Sequence, residues 1–118
     1  MTDLKPALLD ALKDVPAACA TAFARQDAAL PLIVAGDYQH RVLAQADGEP
    51  YQTEYIAAVD VYAAARDEME ALCAQADAAL TALGLRRVFA QDLYDDIAYA
   101  WRKSMRYRCV MQGDRLYQ

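Results

Sequence analysis

The side chains of this sequence that could take part in catalysis are few and scattered. His40 is the only histidine, and no patterned nucleophile accompanies it. Activated serine or cysteine chemistry needs an imidazole held by a geometric partner. Asp92, Asp95 and Asp96 could bind a hard cation, but they lack the ligand alternation and the turn glycine of a calcium loop. We therefore expect no catalytic residues, no metal and no cofactor, and we interpret His40 as a surface or satisfied residue and the three aspartates as a solvated turn.

The cysteines and glycines also lack a recognisable chemical motif. Cys19, Cys73 and Cys109 form an odd set without CxxC spacing, and each lies in an apolar run. Such cysteines usually behave as small core residues in a reducing compartment. No glycine-rich phosphate-binding motif occurs. These observations favour a cytosolic, non-enzymatic protein.

A basic strand near the C-terminus is the strongest candidate for a binding surface. Strict alternation over residues 101–112 predicts an inward face of Met105, Tyr107, Cys109 and Met111 and an outer face of Ser104, Arg106, Arg108 and Val110. Trp101, Arg102 and Lys103 stand at its start. Such a face is either an ordinary solvated side of an antiparallel sheet or an interface, because interface cores favour Arg, Tyr and Trp.

The charge distribution favours a protein partner over nucleic acid. The net charge is −5, with thirteen acidic and five basic side chains in residues 1–85, but four acidic and seven basic ones in residues 86–118. Tyrosines interleaved with arginine could stack bases, yet an acidic chain is repelled by phosphate. A subunit that is acidic at one end and basic at the other can instead join head to tail and close as a ring.

The length and the hydrophobic patterning predict one α+β domain over residues 1–118. No apolar stretch approaches the roughly 20 residues of a membrane span, so we expect no membrane contact and no secretory signal. We predict a mainly antiparallel sheet of four to five strands with a long β-hairpin and two helices on one face. The predicted helices cover residues 3–14, capped by Thr2, and a stripe from Met69 to Leu83 that ends at Gly84. The predicted strands cover residues 15–23, 30–44, 53–63, 85–91 and 101–112, with a hairpin turn at Asp47-Gly48 and a loop over residues 92–100.

Several local strings resemble the small tail terminator, or tail completion, proteins of long-tailed bacteriophages and related prophage elements. The matching strings are DLKPALLDAL, LPLIV, EYIAAVDVYA, RDEMEALCAQADAALTALGL and DLYDDIAYAWRKSMRYRCV. The resemblance covers nearly the whole chain and rests on architecture and patterned strings. It implies a compact α+β fold and a ring, usually hexameric, that caps the tail tube and offers a docking face to the head connector. It carries over no catalytic residues.

The resemblance also suggests roles for regions of the chain. The long hairpin, about His40 to Glu54, looks like an arm that reaches a neighbouring subunit or the tube, and Arg106 and Arg108 are candidates for contacts between subunits or in the lumen. The full set of interface candidates is Tyr94, Trp101, Arg102, Lys103, Arg106, Arg108 and the hairpin turn Asp47, Gly48, Glu49 and Pro50.

The partners implied are further copies of the chain, the tail tube protein and a head-tail connector or head completion protein, with no membrane and no sequence-specific nucleic acid. The location implied is the head-proximal end of a virion tail, after assembly in the host cytoplasm. Two alternatives stay open, namely another head-tail connector or minor tail protein, and a small cytoplasmic domain that binds a ligand or nucleic acid.

Overall fold

The computed structural model describes residues 4–20, 30–46, 49–96, 99–112 and 115–117. Two helices and six strands follow one another along the chain. They are α1 (Lys5–Leu12), β1 (Ala18–Ala20), β2 (Leu32–Ala46), β3 (Glu49–Ala63), α2 (Arg66–Leu83), β4 (Arg86–Asp95), β5 (Ala100–Gln112) and β6 (Arg115–Tyr117). The predicted α+β class is confirmed.

All six strands belong to one sheet, in the order β1-β2-β3-β5-β4, with β6 also paired to β5. β1 runs parallel to β2, and every other pair is antiparallel. The sheet is therefore mixed and has more strands than the four to five that we predicted. The strand that escaped prediction is β6. β1 lies within the first predicted strand, but its parallel pairing with β2 was missed because only the tertiary fold brings its three residues beside β2.

Both helices pack on one face of the sheet. Alternate residues of β3 and β5 point towards the helices and form the main core with α1 and α2. The sheet contributes Ile33, Ala35, Tyr55, Ala57, Val59, Val61, Ala63, Met105, Tyr107, Cys109 and Met111, and the helices contribute Leu8, Leu12, Met69, Leu72, Cys73, Ala76 and Leu80. The predicted inward face of β5 is confirmed, so its arginines lie on the side turned away from the helices, here called the outer face.

α2 (Arg66–Leu83) has the C-terminal end and the buried stripe that its sequence predicts. Asp67 and Glu68 lie in the first turn, where negative charge favours the positive end of the helix dipole. Gly84 ends the helix with a φ of 115°, and its N–H donates to Leu80 O and Thr81 O. A left-handed residue at this position is almost always glycine because a Cβ would be strained there.

α1 is shorter than the predicted helix and begins differently. Its N-cap is Leu4, which makes no side-chain capping hydrogen bond, and Pro6 lies in the first turn as expected. The predicted cap, Thr2, lies outside the described residues.

Several strands have ends that differ from the prediction. The first strand, predicted over residues 15–23, is observed only as β1, and residues 21–29 lie outside the described part of the chain. The predicted loop over residues 92–100 is wrong at its start, because β4 continues to Asp95. The carboxylate of Asp92 is accommodated in the strand by Lys103, its register partner on β5.

The β2–β3 hairpin runs the length of the molecule. Each strand has 15 residues, and the molecule measures 50 × 25 × 22 Å. At about 3.4 Å per residue, one such strand spans roughly 50 Å. The two strands pair as far as Ala46 and Glu49, with irregularities in register near Tyr38 and Leu43. Glu49 and Pro50 therefore lie in β3 and not in the turn that we predicted, and Asp47 and Gly48 lie outside the described residues.

Candidate interaction surfaces

The outer face of the sheet carries an ion-pair network that joins β5 to β3. Arg102 donates to Asp60 at 2.9 Å and Arg108 donates to Glu54 at 2.6 Å. Arg106 lies 3.7 Å from Asp60, and Arg41 of β2 lies 3.1 Å from Glu54. The register explains these pairs, because each arginine of β5 is diagonal to an acid on the same face of the neighbouring strand. The predicted interface arginines thus meet carboxylates of their own chain.

Two tyrosines hold the guanidinium groups of this network. The Arg106 guanidinium lies 4.6 Å from the centre of the Tyr38 ring, and that of Arg102 lies 5.6 Å from the Tyr62 ring. Both distances are within the range of a cation–π contact. One face of each of these two rings is therefore already in contact with a guanidinium group of the same chain.

Two members of the network, Glu54 and Arg102, have pKa values shifted in the directions that its geometry dictates. The hydrogen bond from Arg108 holds the pKa of Glu54 below its ordinary value. Burial by itself would lower the pKa of Arg102, but the charge of Asp60 outweighs it and the pKa is raised. Both shifts favour the ionised form, as expected of groups that face an opposite charge.

Lys103 lies on the opposite face from the arginines and ties α2 to β4. Its ammonium group lies 3.1 Å from Glu70 and 3.2 Å from Asp92. Burial opposes its charge, but the hydrogen bonds to these two acids raise its pKa overall. Asp92 also lies 3.6 Å from Arg66 at the start of α2. Lys103 is consequently part of the internal framework.

Trp101 and Tyr94 form an aromatic pair where β5 begins and β4 ends. Their ring centres lie 5.5 Å apart in an edge-to-face arrangement, and they are register partners. The Arg66 guanidinium lies 5.5 Å from the Trp101 ring. Trp101 is half-buried against the core, whereas Tyr94 is exposed. Of this pair only Tyr94 is well placed to meet another molecule.

The longest exposed element is the edge strand β4. Every residue from Arg86 to Tyr94 is exposed. β4 pairs with β5 along one edge, and no other described strand pairs with its free edge. Its exposed apolar side chains include Phe89 at 46% and Leu93 at 37%. The sequence predicts a strand over residues 85–91 but does not mark it as a contact surface, although it contains one apolar dipeptide, Val88-Phe89, and a second, Leu93-Tyr94, follows it. The alternation of apolar and polar residues does not show whether a strand has a neighbouring strand on one edge or on both.

The far part of the hairpin is the second exposed surface. Tyr38, Val42 and Leu43 of β2 are all exposed although they are large and apolar. This is the segment that the resemblance marks as an arm, and its predicted turn residues Asp47 and Gly48 lie outside the described part of the chain.

The candidate catalytic residues are not brought together in the described part of the chain. His40 is exposed, with its ring 5.8 Å from that of Tyr55. Across the described ranges, no group of three or more His, Cys, Asp or Glu residues is arranged to hold a metal ion. Cys73 and Cys109 are buried, and burial raises the pKa of Cys73 to about 12. Cys19 is exposed, contrary to our expectation of a buried thiol. Neither described helix is long and apolar enough to cross a membrane.

No protein-family model matches the chain, and no curated protein matches it significantly.

Proposed function

We propose that the chain is a structural protein of a long-tailed phage or prophage element that forms a ring on the tail tube and ends its growth. The observation that carries this proposal is the shape of the subunit. A hairpin about 50 Å long and an exposed edge strand project contact surfaces from a small helix-covered core. Exposed strand edges are sites at which chains join. The resemblance to tail terminators supplies the identity of the partners.

The mechanism is steric and electrostatic and needs no bond-making residue. One face of a closed ring fits the last layer of the tube, and the other face cannot template a further tube subunit. The resemblance favours six subunits, a site at the head-proximal end of the tail, and a head-tail connector on the free face. Because Arg102, Arg106 and Arg108 are paired within the subunit, we assign the joining of subunits first to the hairpin and the exposed edges.

An assembly experiment tests this proposal. The tube protein encoded with the chain is polymerised with and without it, and tube lengths are measured by negative-stain electron microscopy. We expect tubes to become shorter as the ratio of chain to tube protein rises. Tubes of unchanged length would refute termination. Binding to tubes without shortening would instead favour the alternative of another connector or minor tail protein.

A hairpin variant sharpens the experiment. Leu43→Asp adds a carboxylate to an exposed apolar site of β2, and Ala74→Asp adds the same group to an exposed site of α2. We expect Leu43→Asp to lose the shortening of tubes and Ala74→Asp to keep it, with both variants folded by circular dichroism. Equal behaviour of the two variants would remove the hairpin from the mechanism.

The alternative of a nucleic-acid-binding domain has one supporting feature, the tyrosine and arginine side chains of the outer face. The same feature weakens it, because Asp60 and Glu54 neutralise part of the charge and the rings already contact guanidinium groups. Binding to single-stranded DNA with a steep dependence on salt would favour this alternative.

A further inference from the structure

The edge strand β4 has a distribution of charge that complements itself. It begins with Arg86 and Arg87 and ends with Asp95. Arg87 lies 3.9 Å from Asp77 and Asp92 lies close to Lys103 and Arg66 of the same chain, so Arg86 and Asp95 are the charges that a second copy would meet. Two such strands that run antiparallel place the basic start of each beside the acidic end of the other. Two that run parallel would place like charges together. The strand also exposes large apolar side chains, which an unpaired edge seldom carries without a partner.

We propose that β4 pairs with β4 of a second copy of this chain, antiparallel and about a two-fold axis at Gln91. The two sheets then join edge to edge into one continuous sheet. The inference rests on β4 alone and does not depend on the tail role.

The register follows from the geometry of a two-fold axis perpendicular to the sheet. Such an axis keeps every side chain on its own face, and opposed residues of an antiparallel pair share a face, so the central residue must oppose itself. The candidates near the middle of the strand are Ala90, Gln91 and Asp92. A two-fold axis at Asp92 would place the two Asp92 carboxylates opposite each other. An axis at Ala90 would place Phe89 of one copy opposite Gln91 of the other.

A centre at Gln91 gives the best match of side chains. Phe89 of each copy then opposes Leu93 of the other, so that two apolar pairs form. Phe89 and Leu93 are register partners of Arg106 and Arg102, so all four lie on the outer face. The irregularity in register between Arg87 and Phe89 puts Arg86 on the outer face together with Asp95, so Arg86 of each copy comes beside Asp95 of the other at the ends of the paired segment. Cross-strand pairs of both kinds stabilise antiparallel sheets.

This dimer would be a form of the subunit that precedes any ring. A ring with two different faces has no two-fold axis in its plane, and its contacts join unlike surfaces. The β4 contact joins like surfaces and closes after two copies. It would therefore cover the edge that otherwise recruits further chains, and it must open before a ring with two different faces can form.

A mixing experiment tests the register. Phe89→Asp places an aspartate against Leu93 of the other copy, and Leu93→Lys places a lysine against Phe89. We expect each variant alone to dimerise at least about tenfold more weakly than the unmodified chain. An equimolar mixture of the two should dimerise again, because the aspartate of one meets the lysine of the other while the second Phe89–Leu93 pair remains. Ala74→Lys, at an exposed site of α2 away from β4 and the hairpin, is the control that should leave dimerisation unchanged.

The measurement is sedimentation velocity over a concentration series, with circular dichroism to verify folding. A monomer at every concentration, or a mixture no stronger than its components, would overturn the proposal. Direct formation of a six-membered ring without a dimer would overturn it too, while leaving the tail role standing. If the mixture of the two variants dimerised again but the unmodified chain did not shorten tail tubes, the β4 contact would be supported and the tail role would be contradicted.

Disulfide trapping provides a second test that does not weaken the interface. In a Cys19→Ser background, Gln91→Cys puts two thiols opposite each other at the two-fold axis, about 5 Å apart between Cα atoms. Ala90→Cys puts them two residues out of step, roughly 8 Å apart, beyond the reach of a disulfide. We expect mild oxidation to cross-link the first variant at least about tenfold faster than the second. Equal rates would contradict the register, and no cross-linking would contradict the contact.

Discussion

Replacing Asp60 by Asn removes the carboxylate at the centre of the outer-face network and leaves its shape nearly unchanged. Asp60 accepts the 2.9 Å hydrogen bond from Arg102 and lies 3.7 Å from Arg106. Its side chain is only 15% exposed. Without the carboxylate, the two guanidinium groups lie close together with no opposite charge between them.

We expect Asp60→Asn to lower the free energy of unfolding by an amount between the values for breaking an exposed ion pair and a buried one. Exposed pairs contribute about 0–1 kcal/mol, whereas removing one partner of a buried pair costs about 3–5 kcal/mol. The partial exposure of this network places the loss near 2 kcal/mol. A chain of 118 residues unfolds with an entropy of about 0.25 kcal/mol/K, so Tm should fall by about 8 °C.

Thermal unfolding followed by circular dichroism measures this shift. Asp10→Asn is the matched control, because Asp10 also forms an ion pair, with Lys13, but its side chain is 76% exposed. An exposed i,i+3 pair of this kind contributes at most about 0.5 kcal/mol, so we expect Asp10→Asn to change Tm by no more than about 2 °C. If Asp60→Asn were as mild as Asp10→Asn, the outer-face arginines would not be held by Asp60, and their assignment to the inside of the subunit would fail.

Three further predictions concern stability. Gly84→Ala should cost about 1–2 kcal/mol by urea unfolding, because φ is 115° and an added Cβ would lie 3.0 Å from the Leu116 side chain. Leu80→Ala should cost about 2–5 kcal/mol, since Leu80 is wholly buried between α2 and the sheet. The pKa of Glu54 is lowered below 4.5, so its contribution is present above pH 4.5 and is lost as the pH falls further. The difference in stability between the unmodified chain and Glu54→Gln should therefore shrink in acid, and a constant difference would contradict the Arg108–Glu54 contact.

The elements that sequence patterns predicted well are those whose pattern is long and local. The apolar stripe of α2, closed by Gly84, repeats over five turns, and the alternation of β5 covers more than ten residues. The C-terminal end of β4 was placed too early because Asp92 and Asp95 are typical of loops. In the structure Lys103 and Arg66 offset the charge of Asp92, and neither contact can be recognised until the register of β4 against β5 is known.

The arginine-rich outer face of β5 was likewise predicted only in part. The alternation of β5 correctly placed Arg106 and Arg108 on one face, but not the acids that they meet. Asp60 and Glu54 lie about fifty residues earlier in the chain, and the pairing of β3 with β5 brings them together. The sequence therefore predicted which arginines share a surface, while their partners depend on a pairing that no local pattern specifies.

Cryo-electron microscopy of the ends of tail tubes tests the central claim most directly. Tubes assembled with the chain should carry a single closed ring of it at one end, with no tube layer beyond the ring. The chain spread along the tube wall, or absent from both ends, would contradict the claim that this fold closes a growing tail.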